Sequence, residues 1–471
     1  MLRPYQIEAI RLVRERINEK PVLCLPTGSG KTTVAAQIIK NAVEGGNSCI
    51  FLVHRRELVS QAVDRLQQFG IEAGIIAAGT SPSAAMVQVA SIPTLVKRDH
   101  VPADLVLIDE CAHSPSKSWR EVIDRYDGSW LLGLTATPVR LSGEPLGDVF
   151  GCIVEPVTME ELIEQGYLIE PTVWAPAVDL SDVPIRFSEY SLPVLVERMD
   201  KLTGDIVEHW KKHARGLKTV AFTCNVAHSI NLVSRFRDAG VRAAHLDGTT
   251  PMARRDEILT DLRNGKLDLV SSIMVLSEGF DLPELNCAII ARPTKSLALH
   301  RQMIGRIVRP PGPAIVLDHA GNHNEHGSVT DHIEWSLDGE YTREGVKSLR
   351  SCPECYRILP ADATVCVECG YDTEQPSARD QQQLDEAEAM LVEFQSVKSR
   401  RRVYIDWLEL ASERLYRLTW ARLQHKQTYG KWPKFAKLEA EHYKCPGHKM
   451  ETSTNHWGEA IRRCHFCRVT E

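Results

Sequence analysis

The sequence predicts an α/β protein with two tandem parallel-sheet lobes, followed by a small cysteine-rich module and a helical C-terminal region. Two series of short apolar runs alternate with helical patterns, which is the order of a parallel sheet with helices on both faces. The first series is 22–26, 49–54, 87–92, 105–110 and 131–137, and the second is 219–224, 243–248, 267–273, 287–293 and 314–320. Of the 13 cysteines, the last seven cluster after residue 350, at spacings typical of metal sites.

A chain of 471 residues is too long for one ordinary domain, so several folding units are expected. We predict a first lobe over 1–165 and a second lobe, with an extended linker before it, over 166–345. A cysteine-rich module follows over 350–372. The last unit, over 384–471, is a basic and aromatic region that ends in a second Cys/His cluster.

The composition is that of a soluble globular protein, with 43% hydrophobic and 25% charged residues. No run of about 18 apolar residues occurs, and the N-terminus resembles an amphipathic helix more than a secretion signal. We therefore expect a cytoplasmic protein without a membrane span. The formal net charge of −6 argues against a protein that coats nucleic acid by bulk electrostatics, so any such contact must come from local patches.

A glycine-rich loop follows the first apolar run and opens a helical pattern. Glycines let the backbone curl so that successive N–H groups point at phosphate oxygens, and the helix N-terminus adds to the attraction. Lys31 is suited to the β- and γ-phosphates, and the Thr32 hydroxyl is suited to Mg²⁺. Leu25 stands where the usual pattern has its first glycine. The loop predicts binding of ATP and Mg²⁺ by Pro26, Thr27, Gly28, Ser29, Gly30, Lys31, Thr32 and Thr33.

Two adjacent acids end the apolar run 105–110. Asp109, at the tip of a buried strand, would hold Mg²⁺, and Glu110 would act as a base toward the attacking water. Cys111 is expected to pack, and His113 completes the catalytic set with Lys31. The alternative is a solvated acidic turn.

The segment QMIGRIVR over 302–309 is expected to be helical, with Arg306 and Arg309 on one face beside Gln302. If that face borders a cleft between the lobes, both arginines can reach the γ-phosphate of a nucleotide held by the first lobe. The cleft would then have to close before hydrolysis. A basic helix on the surface is the alternative.

Two CxxC pairs that are ten residues apart predict a structural zinc ribbon, because four thiolates complete a tetrahedral site without an open position. The predicted Zn²⁺ ligands are Cys352, Cys355, Cys366 and Cys369. A second and weaker set offers four more ligands at a spacing that a small finger could close, with unligated surface residues as the alternative. Its members are Cys445, His448, Cys464 and Cys467.

These motifs, in this order, resemble those of superfamily 2 helicases of the DEAD/DEAH type. By that resemblance Arg3 and Gln6 form the Q-motif that reads adenine, 54–58 contacts the nucleic-acid strand, and 135–137 couples hydrolysis to movement. Residues 277–281 resemble motif V and 302–309 resemble motif VI, which adds Gly279, Asp281 and Gln302 to the nucleotide site. The resemblance implies two RecA-like lobes and strand contacts at Arg55, Arg56, Thr94 and Thr249.

A histidine-rich stretch over 318–337, the zinc ribbon and the aromatic stretch 420–433 together resemble RadD-type helicases, bacterial and phage proteins associated with DNA repair. The histidines favour packing and polar bridging, with a metal site as the alternative. The basic and aromatic residues of 400–432 fit either base stacking or the packing of an amphipathic helix. The second Cys/His cluster departs from that group.

We therefore expect an ATP-hydrolysing DNA helicase or translocase that acts on single-stranded or forked DNA, with RNA not excluded. A role in repair or recombination would bring a single-stranded-DNA-binding or recombination protein as partner. The alternative is an ATP-gated clamp that holds DNA or recruits a partner without processive unwinding. A restriction motor subunit is a third class, although the sequence has no evident PD…ExK nuclease pattern.

Overall fold

The structure is a computed structural model of the chain. The residues that it describes are 2–54, 56–80, 83–140, 143–176, 183–186, 189–190, 195, 206–273, 285–343, 348–372, 400–413, 418–429, 450–454 and 460–464. The chain divides into two compact units, Met1–Glu374 and Gln375–Glu471.

The first lobe has seven strands: β1 (Pro21–Cys24), β2 (Cys49–Val53), β3 (Ala73–Ile76), β4 (Val87–Ser91), β5 (Leu105–Asp109), β6 (Trp130–Thr135) and β7 (Cys152–Val154). They form one parallel sheet in the order β3-β4-β2-β5-β6-β1-β7. The central strands are buried along almost their whole length, as both faces of a parallel sheet are covered. The five apolar runs predicted for this lobe are therefore confirmed as strands.

Helices cover both faces of this sheet: α1 (Pro4–Arg16), α2 (Lys31–Glu44), α3 (Arg56–Gln68), α4 (Ile92–Leu95), α5 (Lys117–Ile123) and α6 (Met159–Glu164). Short 3₁₀ turns lie at Ile17–Glu19, Cys111–His113 and Asp124–Tyr126. Because β1 and β5 are parallel and separated only by β6, the loops that follow their carboxyl ends meet at one edge of the sheet.

The second lobe is a six-stranded parallel sheet of β8 (Thr172–Trp174), β11 (Thr219–Thr223), β12 (Ala243–Leu246), β13 (Leu269–Ser272), β14 (Cys287–Ala291) and β15 (Ile315–Asp318). Its order is β12-β13-β11-β14-β15-β8. Between β8 and β11 the chain forms a hairpin of β9 (Ile185–Arg186) and β10 (Glu189–Tyr190). Among the residues described, the helices of this lobe are α7 (Val226–Asp238), α8 (Met252–Arg263), α9 (Leu297–Ile304) and α10 (Asn322–His326). The five runs predicted here are also strands.

One part of the linker prediction is wrong. Residues 172–174 were expected to lie in an extended connection, but they form β8, which pairs with β15 at the edge of the second sheet. The cause is a long-range contact, because β8 pairs with β15, a strand that comes much later in the chain.

A hairpin follows the second lobe and contacts the first. It consists of β16 (Ile333–Trp335) and β17 (Tyr341–Arg343). At its tip the carbonyl of Leu337 accepts hydrogen bonds from the backbone N–H groups of Leu146 and Gly147, at 2.7 and 2.9 Å. The Leu337 side chain packs against the buried cluster of the first lobe. The two lobes are thus joined by backbone as well as side-chain contacts.

The cysteine-rich module has two antiparallel strands, β18 (Leu349–Ser351) and β19 (Ile358–Pro360). It docks on the free edge of β8. The N–H of Ala175 donates to the Tyr356 carbonyl at 2.8 Å, and the Ser351 hydroxyl donates to the Ala175 carbonyl at 2.6 Å. The Arg357 guanidinium lies over the Trp174 ring, 5.1 Å from its centroid.

The second unit contains α11 (Arg400–Glu413), α12 (Leu418–Tyr429) and a hairpin of β20 (Met450–Thr454) and β21 (Ala460–Cys464). Tyr404 is fully buried, and its ring packs edge-on against His425, 5.3 Å away. For Tyr404, of the two readings left open, the structure favours helix packing over base stacking. Among the helices described, none is long and apolar enough to cross a membrane.

Gly133, in the middle of β6, has no room for a side chain. A Cβ at this position would lie 2.8 Å from the Cys111 Sγ and 2.8 Å from the Phe150 ring. Cys111 is fully buried, as the sequence predicts for a packing residue. We expect Gly133→Ala to lower the free energy of unfolding by about 1–3 kcal/mol, as overpacking does.

Denaturant unfolding measures this effect, and Gly248→Ala is the matched control because its Cβ would meet nothing within 4 Å. Combining Gly133→Ala with Cys111→Ala should restore part of the lost stability. Equal stability of the two glycine variants would contradict the packing described here.

Candidate functional site

The glycine-rich loop lies between β1 and α2, at the carboxyl edge of the first sheet. Gly28 and Gly30 have φ values of +90° and +88°, a left-handed conformation that side chains other than glycine rarely adopt. Ser29 is buried between them, and the Thr32 side chain on the first turn of α2 is exposed. The curled backbone and the open helix N-terminus can receive a phosphate group.

Residues of α1 hold this loop from behind. The Tyr5 hydroxyl donates to the Ser29 carbonyl at 2.6 Å, and the Gln6 Nε2 donates to the same oxygen at 3.0 Å. The other end of the Gln6 amide accepts the Arg3 N–H at 3.0 Å. A Cβ on Gly30 would lie 2.8 Å from the Gln6 Nε2, so the glycine allows this close contact. Gln6 is therefore tied to the loop itself.

Sequence reasoning missed several residues around the loop. The Arg3 guanidinium lies 4.7 Å from the Tyr167 ring centroid, and Tyr5 packs edge-on against the same ring at 5.4 Å. A Cβ at Gly28 would lie 3.1 Å from Leu168, which follows Tyr167 between the two lobes. Another missed residue, Arg65 of α3, donates to the Thr33 hydroxyl. Only long-range contacts reveal these neighbours, and no local pattern marks them.

Lys31 and Asp109 lie near one another at the sheet edge. The Lys31 Nζ contacts the Leu25 carbonyl at 3.4 Å. Burial, together with the neighbouring Glu110 carboxylate, raises the pKa of Asp109 to about 7, and nearby Lys31 acts in the opposite sense. A divalent cation beside Asp109 would stabilise its ionised form. Glu110 has a φ of +48°, the left-handed conformation that re-aims the chain after β5.

His113 stacks on a residue of the predicted strand-contacting motif. Its ring lies 4.7 Å from that of His54, with 13° between the planes, and both rings lie 6.4 Å from Trp119. Trp119 is buried, which fixes the base of the cluster. His113 thus links the acidic segment to the end of β2.

The segment 302–309 reaches the glycine-rich loop from the second lobe. A Cβ on Gly305 would overlap the Thr27 side chain, so these two residues are in direct contact. The Arg309 side chain flanks Gly28, whose Cβ would lie 3.4 Å from the Arg309 Cγ and 3.5 Å from its Nε. The half-buried Arg306 and Gln302 belong to the same segment.

The prediction that this segment is helical throughout is wrong. Helix α9 ends at Ile304, so that Gln302 lies within it and both arginines lie in the turns that follow. Gly305 directly follows the last helical residue and is a weak helix former, and Pro310 disfavours helix at Arg309 before it. Turns still bring Arg309 to the loop.

The cleft between the lobes extends below the loop. A cavity of about 90 Å³ is lined by both lobes, with Thr27, Ala136 and Glu155 on one side and Arg301 and Trp335 on the other. Ala136 is the middle residue of the predicted coupling motif 135–137. The Thr135 hydroxyl donates to the Thr137 carbonyl at 3.1 Å, which fixes the turn.

Two other residues that were predicted to contact a nucleic-acid strand form hydrogen bonds with their near neighbours in the chain. The Thr94 hydroxyl bonds to Ser91 at 2.9 Å, and the Thr249 hydroxyl donates to Asp247 at 2.8 Å. The hydrogen bond from Thr249 lowers the pKa of Asp247. Gly279, Asp281 and Arg55 lie outside the described residues, and only the backbone of Arg56 is described.

The four cysteines of the predicted ribbon converge. Their sulfur atoms all lie within 4.8 Å of one another, with Sγ–Sγ distances of 3.7 Å for Cys352–Cys369 and 3.6 Å for Cys355–Cys366. Zn–S bonds of about 2.3 Å in a tetrahedron require an Sγ–Sγ distance of about 3.8 Å. The cluster therefore has the size and donor set of a Cys₄ zinc site.

One thiol of the cluster is favoured in its ionised form. Burial acts to raise the pKa of Cys366, but hydrogen bonds from the N–H groups of Cys369 and Glu368 and from the neighbouring cysteine side chains lower the value to about 7. A thiolate is the form that binds metal. Of the second predicted set, Cys445, His448 and Cys467 lie outside the described residues, and only the backbone of Cys464 is described.

Two family models match the two lobes. Residues 1–140 match "Type III restriction enzyme, res subunit", and residues 197–311 match "Helicase conserved C-terminal domain". In sequence, the chain is 32% identical over 385 residues to a "51.5 kDa protein" of a Lactococcus phage, covering 79% of this chain and 82% of that protein. It is 30% identical over 384 residues to "Putative ATP-dependent helicase IRC3" of Saccharomyces cerevisiae, covering 74% of this chain and 54% of the yeast protein.

Solved structures share the fold. A fragment of a putative HsdR subunit of a type I restriction enzyme from Vibrio vulnificus aligns with a TM-score of 0.57 at 20% identity, over 72% of this chain and 69% of that one. The ATP-dependent Type ISP restriction-modification enzyme LlaBIII, bound to DNA, aligns with a TM-score of 0.53 at 17% identity, over 68% and 28%. Two RecA-like lobes with these family matches make the chain a member of the superfamily 2 helicases.

Proposed function

We propose that the protein is an ATP-dependent DNA helicase or translocase whose nucleotide lies between the two lobes. One observation carries the proposal: Gly305 and Arg309 of the second lobe contact Thr27 and Gly28 of the loop that would hold the phosphates. A group that reaches the phosphates from the other lobe makes hydrolysis depend on lobe closure. Cycles of closure and opening are what a motor on a strand requires.

Six polar residues of the cleft have a role in this proposal. Lys31 neutralises the β- and γ-phosphates, and Thr32 and Asp109 hold Mg²⁺, which supplies charge neutralisation on the phosphate oxygens. Glu110 orients and deprotonates the attacking water. Arg306 and Arg309 stabilise the charge that develops in the transition state.

In the same proposal, adenine is recognised by residues at the start of α1. Arg3 and Gln6 lie behind the loop, and the Arg3 guanidinium already stacks on Tyr167. A base could be held against the same group of side chains, since guanidinium and aromatic faces both accept π-stacking.

DNA as the track is supported by one relative and by one solved structure of similar fold. "Putative DNA 3'-5' helicase Rad25" of Haloarcula marismortui is 30% identical over 337 residues, and LlaBIII was solved bound to DNA. The chain spans about half the length of the yeast and archaeal relatives, so their whole activities are not transferred to it. We place the protein with RadD-type helicases that act on single-stranded or forked DNA in repair or recombination.

We also propose that the Cys₄ module binds structural Zn²⁺ and that the second Cys/His set binds another. The convergence of four sulfur atoms supports the first site. Its buried cluster consists of Leu359 and three of the cysteines, which is too small a core to fold the module without metal.

Replacing Arg309 tests the closed cleft. We expect Arg309→Ala to lower kcat for ATP by about 10³-fold or more, as loss of an arginine finger does, with the KM for ATP little changed. Arg309→Lys should rescue little of this, because an ammonium lacks the planar fork. The control is Arg254→Ala, an exposed arginine of α8 that pairs with Glu257. Equal turnover by the two alanine variants would contradict the proposed site.

The track is tested by ATPase rate against single-stranded DNA, duplex, forked DNA and RNA. Single-stranded or forked DNA should stimulate most, and Lys31→Ala should abolish the stimulated rate because the phosphates lose their cation. Strand displacement on a forked duplex distinguishes a helicase from an ATP-gated clamp. Stimulation by RNA alone would overturn the assignment to DNA.

Zinc content tests the Cys₄ site. Cys366→Ser should lower the zinc bound per chain by one equivalent and destabilise the module, measured by elemental analysis and by susceptibility to proteolysis. Cys152→Ser, at a single thiol of β7, is the control and should retain all zinc. Cys467→Ser reports on the second set in the same assay. An unchanged amount of zinc per chain in Cys366→Ser would contradict the proposed Cys₄ site.

A further inference from the structure

The arginine segment depends on where helix α9 starts. An arginine that must meet a phosphate within a fraction of an ångström needs a rigid support. The support here lies before the helix, at the turn of Thr294 and Lys295 that follows β14. Thr294 is completely buried, and all three of its hydrogen-bonding groups are engaged.

Two of those bonds come from α10, in the histidine-rich segment that follows β15. The Thr294 N–H donates to the Asn322 Oδ1 at 3.0 Å, and the Thr294 carbonyl is 2.8 Å from the His326 Nε2. Because burial lowers the pKa of His326, its ring is neutral and Nε2 carries the proton for this bond. The Asn322 Nδ2 also donates to the Arg292 carbonyl at 3.0 Å.

Asp318 fixes the start of α10 and the residues before it. Its carboxylate accepts the Ala320 N–H at 3.0 Å, the His323 N–H at 2.8 Å and the His323 Nδ1 at 2.9 Å. His326 also stacks on His300, a residue of α9, with ring centroids 4.9 Å apart. Among the described residues the cysteine set alone forms a metal-type cluster, so these histidines act as hydrogen-bonding and packing groups.

The remaining bonds come from the chain between the lobes. Glu189 of β10 accepts the Thr294 hydroxyl at 2.7 Å and the Lys295 N–H at 2.9 Å. The same Thr294 oxygen accepts the N–H of Ser296, the N-cap of α9, at 3.0 Å. Lys295 is held in turn by Glu325 at 2.6 Å. The start of α9 is therefore fixed from two sides.

We propose that Glu189, Asn322 and His326 are positioning residues, which hold the start of α9 so that Arg306 and Arg309 meet the nucleotide in one orientation. The inference rests on the proposed function.

Glu189→Ala tests this anchor in the full-length protein. We expect kcat for DNA-stimulated ATP hydrolysis to fall by about 10- to 100-fold, the cost of an ångström-scale misplacement, with the KM for ATP unchanged when the variant is assayed well below its own Tm. Glu189→Gln retains one of the two acceptor oxygens and should therefore recover part of the rate. Glu257→Ala, an exposed glutamate of the same lobe, is the matched control. Asn322→Ala, assayed well below its own Tm, should show the same loss in kcat.

A double-mutant cycle with Arg309→Ala separates positioning from general damage. If Glu189 acts through the arginines, adding Glu189→Ala to Arg309→Ala should cause no further loss. Wild-type kcat in Glu189→Ala, a loss that multiplies with Arg309→Ala, or a lower Tm with normal kcat would overturn the anchor. An inactive wild-type protein or a fully active Arg309→Ala would instead overturn the proposed function.

Discussion

The structure depends on one close approach, that of the second lobe to the glycine-rich loop of the first. Gly305 can touch Thr27 only because it has no side chain, and Gly28 leaves space for both Leu168 and Arg309. Bulky residues at either glycine would hold the lobes apart. The lobes also meet at Leu337 and enclose the cavity beside Ala136. The anchored start of α9 belongs to the lobe that supplies Gly305 and Arg309.

The features that the sequence predicts are those that depend on residues close together in the chain. Strands and the glycine-rich loop are local patterns, and all ten apolar runs are strands. The CxxC pairs are local as well, and their sulfur atoms converge. By contrast, β8 was missed because its partner is more than 130 residues away, as the pairing of Thr172 with Ile315 shows. Tyr167, Arg65 and Glu189 were missed for the same reason.

Arg309 shows a second limit of prediction. The residue was assigned to the cleft, and it lies there, but the expected helix does not extend to it. Helical spacing predicts the correct neighbours although α9 ends at Ile304, because Gly305 and the prolines after Arg309 disfavour its continuation. The histidine-rich loop is the opposite case. Its chemistry could serve metal binding or polar bridging, and only the contacts with Thr294 decide between them.

The docking of the cysteine-rich module on β8 concerns solubility as well as folding. A parallel sheet with an uncovered edge strand offers unpaired N–H and C=O groups to any other chain. The bonds between Ala175, Tyr356 and Ser351 cover this edge at its end, and the short bridge between Trp174 and Arg357 adds a further pairing. If the module folds around the proposed Zn²⁺, loss of the ion would therefore do more than unfold a small module. It would also uncover the edge of β8, and an uncovered edge strand can pair with another chain.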